Sequence, residues 1–293
     1  MSDPPLRLVA GVAAHKGHVR EKQEDAHLVL DELGVVAVAD GMGGHQAGDV
    51  ASQLAIEALR EHFGAVATGT QPRGFSGLLR RFGLGGRPSD ALVLAIRTAN
   101  RRILASARRV ESQRGMGTTL VVAWLCGARL HFAHVGDSRL YLLRAGVLRQ
   151  LTRDHSLVNE YLRTGQLTPE TLPAFPHKNV IVRAVGLSGG VEVDVGETDL
   201  MPEDRLLLCS DGLTDLVDDA RIRDSLAAGD EPESCARTLV TLALEAGGID
   251  NVTALVIRVS CAESPVEPGE VKDDPSLLAA GVDPGASPDG SRR

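Results

Sequence analysis

Several short apolar runs in this chain end on an aspartate. The runs are 34–40 (GVVAVAD), 130–137 (LHFAHVGD) and 205–211 (RLLLCSD). Their length and their content of β-branched residues predict strands. A carboxylate is costly to bury at a strand end unless a positive charge or hydrogen bonds meet it. The fold must therefore bring these strand ends either to a surface turn or to a site that holds something positive.

Each acidic position allows both interpretations when it is taken alone. Asp40 and Asp211 both precede a glycine, and Asp-Gly is ordinary turn chemistry. Asp250 precedes a further apolar run and equally suits a cap or loop position. Taken together, and joined by the adjacent pair Glu24 and Asp25, the set favours a cluster that binds cations.

The type of ligand indicates which cation such a cluster would hold. Oxygen ligands suit Mg²⁺ or Mn²⁺, whereas Zn²⁺ would require His or Cys at motif spacing. The chain has no HExxH motif. We interpret four of its histidines as ordinary core or surface residues, namely His131, His134, His155 and His177. Two hard cations about 3.5–4 Å apart polarise phosphate oxygens and generate a nucleophile from water. The acidic set therefore predicts hydrolysis of a phosphate ester.

Other catalytic classes lack their motifs. A P-loop requires a Gly-Lys pair, and the chain contains none. A phosphatase with a cysteine nucleophile requires an arginine six residues after the cysteine. Six residues after Cys126, Cys209 and Cys235 the chain has Phe132, Asp215 and Thr241 instead. Ser210 lacks the first glycine of a GxSxG elbow, which argues against a serine hydrolase.

The pattern of helices and strands predicts an α+β architecture. Helical spacing occurs over 47–63, 89–110 and 231–246. Strand-like segments follow one another closely at 118–126, 129–136, 139–144 and 147–151. Because such neighbours are joined by tight turns, we expect much of the sheet to consist of antiparallel hairpins.

Three segments differ in composition from this core. Residues 64–88 are rich in Gly, Arg and Pro and predict a mobile insertion between two helices, either a solvated loop or a basic docking loop. Residues 152–178 suit a partly helical flap. Residues 261–293 have too little apolar surface to order themselves and predict a disordered acidic tail rich in Pro and Gly. One catalytic domain over 1–260 is therefore expected.

Composition also limits the partners and the location. The net charge of −8 and the 3% of aromatic residues argue against nucleic acid and anionic membranes as partners. No run approaches the roughly 18 apolar residues of a membrane span, and the first residues lack the pattern of an export signal. Cys126, Cys209, Cys235 and Cys261 form no CxxC pair, so we expect reduced, packed thiols in a cytoplasmic protein. A monomer is expected.

Eight ordered motifs closely resemble the protein phosphatase 2C family in its bacterial form. They are RxxxED at 20–25, VADGMGGHQAGD at 38–49, GMGTT at 115–119, HVGDSRLY at 134–141, LTRDHS at 151–156, VIVRAVG at 180–186, LLLCSDGLTD at 206–215 and DNVTALVI at 250–257. The resemblance extends over roughly residues 7–258. It implies a four-layer α-β-β-α sandwich of two antiparallel sheets flanked by helices, with a binuclear Mn²⁺ or Mg²⁺ centre at one end.

The resemblance also implies roles for individual residues. Asp40 would bridge two metals, the carbonyl of Gly41 would bind one, and Asp211 and Asp250 would bind the other. Glu24 and Asp25 would act near the metals, partly through water. Arg20 would bind the phosphate, since its planar fork suits a phosphate dianion. Asp137 would share a weaker third metal with Asp211, although an ordinary turn aspartate suits this position almost as well.

One position departs from the family pattern. Animal members carry a histidine, often assigned as the general acid, two residues after the bridging aspartate, and here that residue is Met42. A thioether cannot donate a proton. His45 lies three residues further along, but nothing places it at the leaving oxygen. The proton donor stays open.

The expected activity is removal of phosphate from phosphoserine and phosphothreonine in proteins, the substrates of a Ser/Thr kinase, with Arg20, Asp40 and Asp211 as catalytic residues. Two alternatives remain. An inactive relative that binds a partner through the same fold would have lost a metal carboxylate, and here all are present. A regulatory phosphatase specific for one phosphoserine would use the same chemistry, and the sequence does not separate it from a broad one.

Overall fold

The computed structural model describes residues 6–43, 47–68, 87–168, 170–171, 175 and 180–261. Most of the predicted insertion and almost all of the predicted tail lie outside these residues, as do His45 and parts of the predicted flap. The described end of the insertion differs from prediction: residues 64–67 continue a helix, because their sequence GAVA contains no helix-breaking proline.

Eleven strands and six α-helices can be assigned in the described residues. The strands are β1 Leu6–His15, β2 Asp25–Leu30, β3 Val35–Met42, β4 Gly117–Thr118, β5 Leu120–Cys126, β6 Arg129–Val135, β7 Arg139–Arg144, β8 Val147–Gln150, β9 Asp194–Asp199, β10 Arg205–Cys209 and β11 Val252–Cys261. The helices are α1 Gly48–Ala67, α2 Pro88–Arg109, α3 Leu157–Arg163, α4 Asp211–Thr214, α5 Asp219–Ala227 and α6 Pro232–Glu245. Short 3-10 turns lie at Asp31–Leu33 and Glu111–Gln113.

The strands form two sheets in which every pairing is antiparallel. One sheet has the order β1-β11-β10-β7-β8, and the other has the order β2-β3-β5-β6-β9 with β4 beside β3. An apolar layer between them contains Val36, Val121, Leu140, Leu206 and Leu255. α1 and α2 pack on the outer face of the second sheet, and α5 and α6 pack on the outer face of the first. The expected four-layer α-β-β-α sandwich is therefore confirmed.

The expectation of successive hairpins is correct for two pairs and wrong for the pair between them. β5 pairs with β6, and β7 pairs with β8. Between β6 and β7, however, the chain passes from one sheet to the other. Gly136 makes this crossing with a φ of 104°, where an added Cβ would lie 2.6 Å from the Cβ of Thr119. Glycine adopts this positive φ readily, and the bend that it makes prevents β7 from pairing with β6.

The cysteines are only partly packed. Cys209 and Cys235 are buried, Cys126 is partly buried, and Cys261 is exposed at the end of β11. Cys261 was expected in the tail and is instead the last residue of β11, a strand in which side chains alternate between the two faces of the sheet. No helix among the described residues has both the length and the apolar character to cross a membrane.

Two glycines give a matched test of this packing. Gly11 in β1 faces the start of α6, and a methyl group there would lie 2.1 Å from the backbone nitrogen of Glu233. Gly64 in α1 has open space around it. We expect Gly11→Ala to lower the free energy of unfolding by about 1–3 kcal/mol, because backbone must move. Gly64→Ala should raise it by roughly 0.5–1 kcal/mol through helix propensity. Denaturant unfolding of both variants measures the difference, and equal effects would contradict the close approach of α6 to β1.

Candidate metal centre

The ends of both sheets bring the predicted carboxylates together. Asp25 begins β2 and lies directly opposite Asp40 of β3 in the second sheet. Asp211 follows β10 at the start of α4, and Asp250 lies just before β11; β10 and β11 are neighbours in the first sheet. Four acidic residues that are far apart in sequence therefore converge at one end of the sandwich.

Asp40 and Asp211 lie close enough for each carboxyl group to affect the titration of the other. Burial raises the pKa of Asp40 well above its usual range, and the neighbouring charges of Asp25 and Asp211 raise it further. Burial likewise raises the pKa of Asp211. Both groups would therefore be stabilised by a positive charge placed between them.

Asp25 is buried beneath them. Its Oδ2 accepts hydrogen bonds from Ser210 Oγ at 2.8 Å and Thr253 Oγ1 at 2.7 Å. Burial raises the pKa of Asp25 to about 7, with Asp211 and Asp250 adding repulsion against those two hydrogen bonds. Its other oxygen, like one oxygen each of Asp137 and Asp211, is buried without a hydrogen-bond partner among the described residues. Orphaned carboxylate oxygens of this kind fit a Mg²⁺ or Mn²⁺ donor set.

An open cleft lies over this cluster. Its volume is about 420 Å³. Its lining contains the predicted residues Arg20, Glu24, Asp40, Gly41, Met42, Asp211 and Asp250, together with Gly43, Ile181, Gly212, Asp215 and Ile249. Thus the structure brings every predicted site residue to the cleft except Asp25, which lies buried beneath it, and Asp137.

Arg20 is already paired within the cleft. Its Nη2 donates to Asp250 Oδ2 at 2.7 Å, and both side chains are partly exposed. The guanidinium therefore contacts one of the residues that the sequence assigned to a metal. Glu24 lies nearby, and its pKa is raised by burial and by the charge of Asp49.

Asp137 lines a smaller cavity that adjoins the cleft through Asp211 and Asp215. This cavity has a volume of about 60 Å³ and also contains Arg139 and Asp154. Burial raises the pKa of Asp137 to about 7, with Asp211 and Asp154 adding repulsion. Arg139 donates to Asp154 at 2.7 Å, so its charge is already balanced.

Asp215 was not singled out from the sequence. It lines both the cleft and the smaller cavity, and burial together with Asp211 raises its pKa to about 6. The sequence DGLTD at 211–215 could have indicated it, because Asp215 lies four residues after Asp211 and so on the same face of a helical turn.

Asn251 was not singled out from the sequence either, because no local pattern marks its role. Its side chain is buried and accepts from the backbone N–H of Glu24 at 2.7 Å. It also donates to the carbonyls of Lys16 and Lys22 at 2.9 Å and 2.8 Å. Asn251 thus fixes the loop that carries Arg20 and Glu24 against the strand that follows Asp250.

The backbone around Asp40 is held from β4 and β5. Thr119 Oγ1 accepts from the N–H of Asp40 at 3.0 Å and is hydrogen-bonded to Ser138 Oγ at 2.7 Å. Thr118 Oγ1 donates to the carbonyl of Asp40 at 2.9 Å. At Gly41 an added Cβ would lie 2.1 Å from the carbonyl oxygen of Gly48, so only glycine permits this approach of β3 to α1.

Another group of potential ligands lies outside the cleft. His134, His155 and Asp194 place one ligand atom each within 4.8 Å of one another. However, the N–H of Gly136 donates to Nδ1 of His155 at 3.1 Å. A neutral His155 must then carry its proton on Nε2, which faces Asp194 at 3.5 Å, so it has no lone pair to offer a metal there. We therefore do not assign a metal to this group.

The raised pKa of Asp25 gives a test that depends on stability alone. An aspartate titrates near 3.9 when unfolded, so the metal-free folded protein binds more protons between about pH 4 and 7. Its stability should fall as the pH rises through that window and level off above it. Asp25→Asn removes the desolvated charge, and in chelator it should raise the Tm by several degrees at pH 8 but have little effect on it at pH 5.

The control for this measurement is Asp31→Asn, which changes an exposed aspartate in the turn after β2. Thermal melts of the three proteins in chelator should show a pH-dependent difference for Asp25→Asn only. A lower Tm for Asp25→Asn at pH 8 would contradict a destabilising charge at this position.

Comparison with known proteins identifies the family. Residues 14–243 match the family Protein phosphatase 2C. The chain is 39% identical over 246 residues to the serine/threonine phosphatase stp of Listeria welshimeri, covering 83% of this chain and 92% of that protein. It is also 39% identical over 260 residues to the serine/threonine protein phosphatase PstP of Mycobacterium tuberculosis, covering 88% of this chain and 46% of that protein.

Solved structures show the same fold. The crystal structure of the Mycobacterium tuberculosis serine/threonine phosphatase PstP/Ppp superposes with a TM-score of 0.75 at 37% identity, covering 87% of this chain and 99% of that one. The catalytic domain of PstP in complex with two manganese ions superposes with a TM-score of 0.73 at 37% identity, with the same coverage. On the evidence of its sequence, its two-sheet fold and these relatives, the chain belongs to the protein phosphatase 2C family.

Proposed function

We propose that this chain is a Mn²⁺- or Mg²⁺-dependent phosphatase that hydrolyses phosphoserine and phosphothreonine in proteins. The observation that carries the proposal is the cluster of buried carboxylates with orphaned oxygens under a cleft that also contains Arg20. The relatives named as serine/threonine phosphatases and the manganese complex of PstP support it. The catalytic unit would be residues 1–260, acting as a cytoplasmic monomer on the substrates of a Ser/Thr kinase.

Asp40, Asp211 and Asp250, together with the carbonyl of Gly41, would hold the cations. Bound there, the cations would polarise the phosphate oxygens and lower the pKa of water so that it attacks phosphorus near neutral pH. Asp25 would support Asp40 from beneath, where Ser210 and Thr253 fix its orientation. Glu24 would contribute at the rim of the cleft.

Arg20 would bind the phosphate. A guanidinium offers two parallel N–H donors to a phosphate dianion, and its contact with Asp250 holds it over the cleft before substrate arrives. Asp250 would hold a cation and Arg20 would bind the phosphate, so the two side chains would serve neighbouring parts of the same site. Ile181 and Ile249, which line the same cleft, would exclude water from one side of the bound group.

The first functional test removes one carboxylate from the cluster. Asp211→Asn keeps the shape of the side chain but loses a charge, so we expect the fold and Tm to be retained while kcat on a phosphoserine peptide falls by about 10²–10³-fold or more. Binding of Mn²⁺, measured by calorimetry, should weaken in parallel. Asp31→Asn serves as the matched control and should keep full activity. Full activity of the wild-type protein in excess chelator would refute the proposal.

The second functional test concerns the proton that the leaving serine oxygen requires. Met42 lines the cleft but has no proton to give. Asp137, whose pKa burial raises to about 7, lines the adjoining cavity together with Asp211 and Asp215. We assign it to the machinery that protonates the leaving oxygen, as the holder of a further cation. Asp137→Ala should therefore lower turnover of a phosphoserine peptide by about 10²–10⁴-fold while substrate affinity stays near normal.

A change of leaving group separates this role from a structural one. A nitrophenyl phosphate needs no proton on departure, so its turnover by Asp137→Ala should fall much less than turnover of the peptide. Equal losses on both substrates would assign Asp137 to positioning instead. Unchanged turnover of the peptide would remove it from the mechanism.

A further inference from the structure

A second large cavity lies beside α2, away from the catalytic cleft. Its volume is about 550 Å³, which is within the range of small-molecule sites. It is lined by Leu94, Arg97, Asn100 and Arg101 of α2 and by residues 189–192 of the loop that precedes β9. None of these residues lines the cleft. Leu94 and Val191 are the apolar lining, 6% and 8% exposed.

Two arginines at this cavity have no acidic partner among the residues that the structure describes. Arg97 and Arg101 are one helical turn apart and so lie on the same face of α2. Within the part of the chain that the structure describes, Arg101 Nη2 donates only to Thr98 Oγ1 at 2.9 Å, and no hydrogen bond or ion pair involves the Arg97 side chain. Glu192, the acidic residue of the lining, already contacts Arg183 at 3.2 Å. An anionic group would therefore find two guanidinium groups that no acidic side chain among the described residues neutralises, beside an apolar floor.

Asn100 connects the cavity to the loop between α3 and β9. It is 2% exposed, its Oδ1 accepts from the N–H of Gly186 at 2.6 Å, and its Nδ2 donates to the carbonyl of Ser188 at 2.9 Å. Gly186 has a φ of 97°, and an added Cβ would lie 2.3 Å from Ile103 of α2. The loop is therefore seated on α2 at a position that only glycine permits.

The same loop is connected to Asp40. Val185 and Thr118 exchange two backbone hydrogen bonds of 2.9 Å each. Thr118 in turn donates from its side chain to the carbonyl of Asp40 at 2.9 Å. A continuous series of hydrogen bonds therefore joins the wall of the cavity to the residue at the centre of the carboxylate cluster.

We propose that this cavity is a regulatory site for a small amphipathic anion. Its apolar body would contact Leu94 and Val191, and its carboxylate or phosphate would pair with Arg97 and Arg101. Occupancy would move the 186–188 loop and change the position of Asp40 through Val185 and Thr118. The proposal has a binding half, that the anion occupies this cavity, and a regulatory half, that occupancy changes the site around Asp40. The binding half is independent of the proposed function, whereas the regulatory half rests on it.

Octanoate is a suitable probe, because it combines an apolar chain with one carboxylate. Calorimetry should show saturable binding of one octanoate per wild-type chain. The double variant Arg97→Glu, Arg101→Glu should weaken it by about tenfold or more, since the charge-assisted contacts are replaced by repulsion. Octanol, which has the same chain without the charge, should bind wild type about tenfold more weakly than octanoate does.

Two further variants test the location. Gly190 has open space around it and a backbone conformation that other residues adopt, so Gly190→Leu should fill the cavity and weaken octanoate binding without unfolding the protein. Arg221→Glu changes an exposed arginine of α5 on the opposite outer layer and should leave binding unchanged. The binding half is overturned if no saturable binding appears up to about 5 mM octanoate. It is also overturned if the double variant and wild type bind octanoate equally.

The regulatory half is tested at saturating octanoate. Turnover of 4-nitrophenyl phosphate and calorimetric affinity for Mn²⁺ should change by about fivefold or more in wild type and stay constant in the arginine double variant. If octanoate binds but alters neither quantity, the regulatory half is wrong. If the protein has no phosphatase activity even without octanoate, the proposed function fails, while Mn²⁺ affinity and octanoate binding still decide the present proposal.

Discussion

Carboxylates from both sheets meet at one end of the sandwich, and burial makes the repulsion between them strong. Asp25 is buried, Asp40 and Asp211 are partly buried beside it, and their charges raise one another's pKa in a place where a charge is poorly solvated. The hydroxyl groups of Ser210 and Thr253 satisfy only one oxygen of Asp25. The apolar layer between the sheets must therefore supply enough stability to offset the repulsion between these carboxylates. Functional sites commonly reduce the stability of a protein in this way.

This constraint explains why so many neighbouring residues serve only to hold backbone. Thr118 and Thr119 secure both the N–H and the carbonyl of Asp40, and Gly41 allows β3 to approach α1. Asn251 performs the corresponding task for the loop that contains Arg20 and Glu24. Without these contacts the carboxylates would be free to separate and hydrate. A centre that must keep like charges close in the absence of a cation needs such rigid support.

The sequence predicted those parts of the structure that depend on local pattern. Asp40 and Asp211 were found because each ends a continuous apolar run, and the α+β composition followed from the alternation of such runs with helical segments. The crossing of the chain between sheets at Gly136 was missed, because adjacent strands with short connections look like a hairpin whether or not they pair. Asp215 and Asn251 were missed because their roles depend on contacts with distant residues, Asp211 in one case and Lys16 and Lys22 in the other. The convergence of the two sheet ends came from the family resemblance, since no local pattern specifies it.

The charges that line the cleft bear on how cations and substrate enter it. When ionised, Glu24, Asp40, Asp211, Asp215 and Asp250 carry five negative charges, and Arg20 supplies the one positive charge of the lining. Two divalent cations would balance the remainder. A phosphate dianion would then bring two further negative charges to a site whose neighbour Asp137 is also acidic, while Arg139 is occupied by Asp154. Substrate binding therefore favours the simultaneous uptake of positive charge, either as protons on carboxylates whose pKa lies near 7 or as a further cation beside Asp137. Either route would bring a source of protons to the cavity that adjoins the cleft, whereas Met42 in the cleft itself has no proton to give.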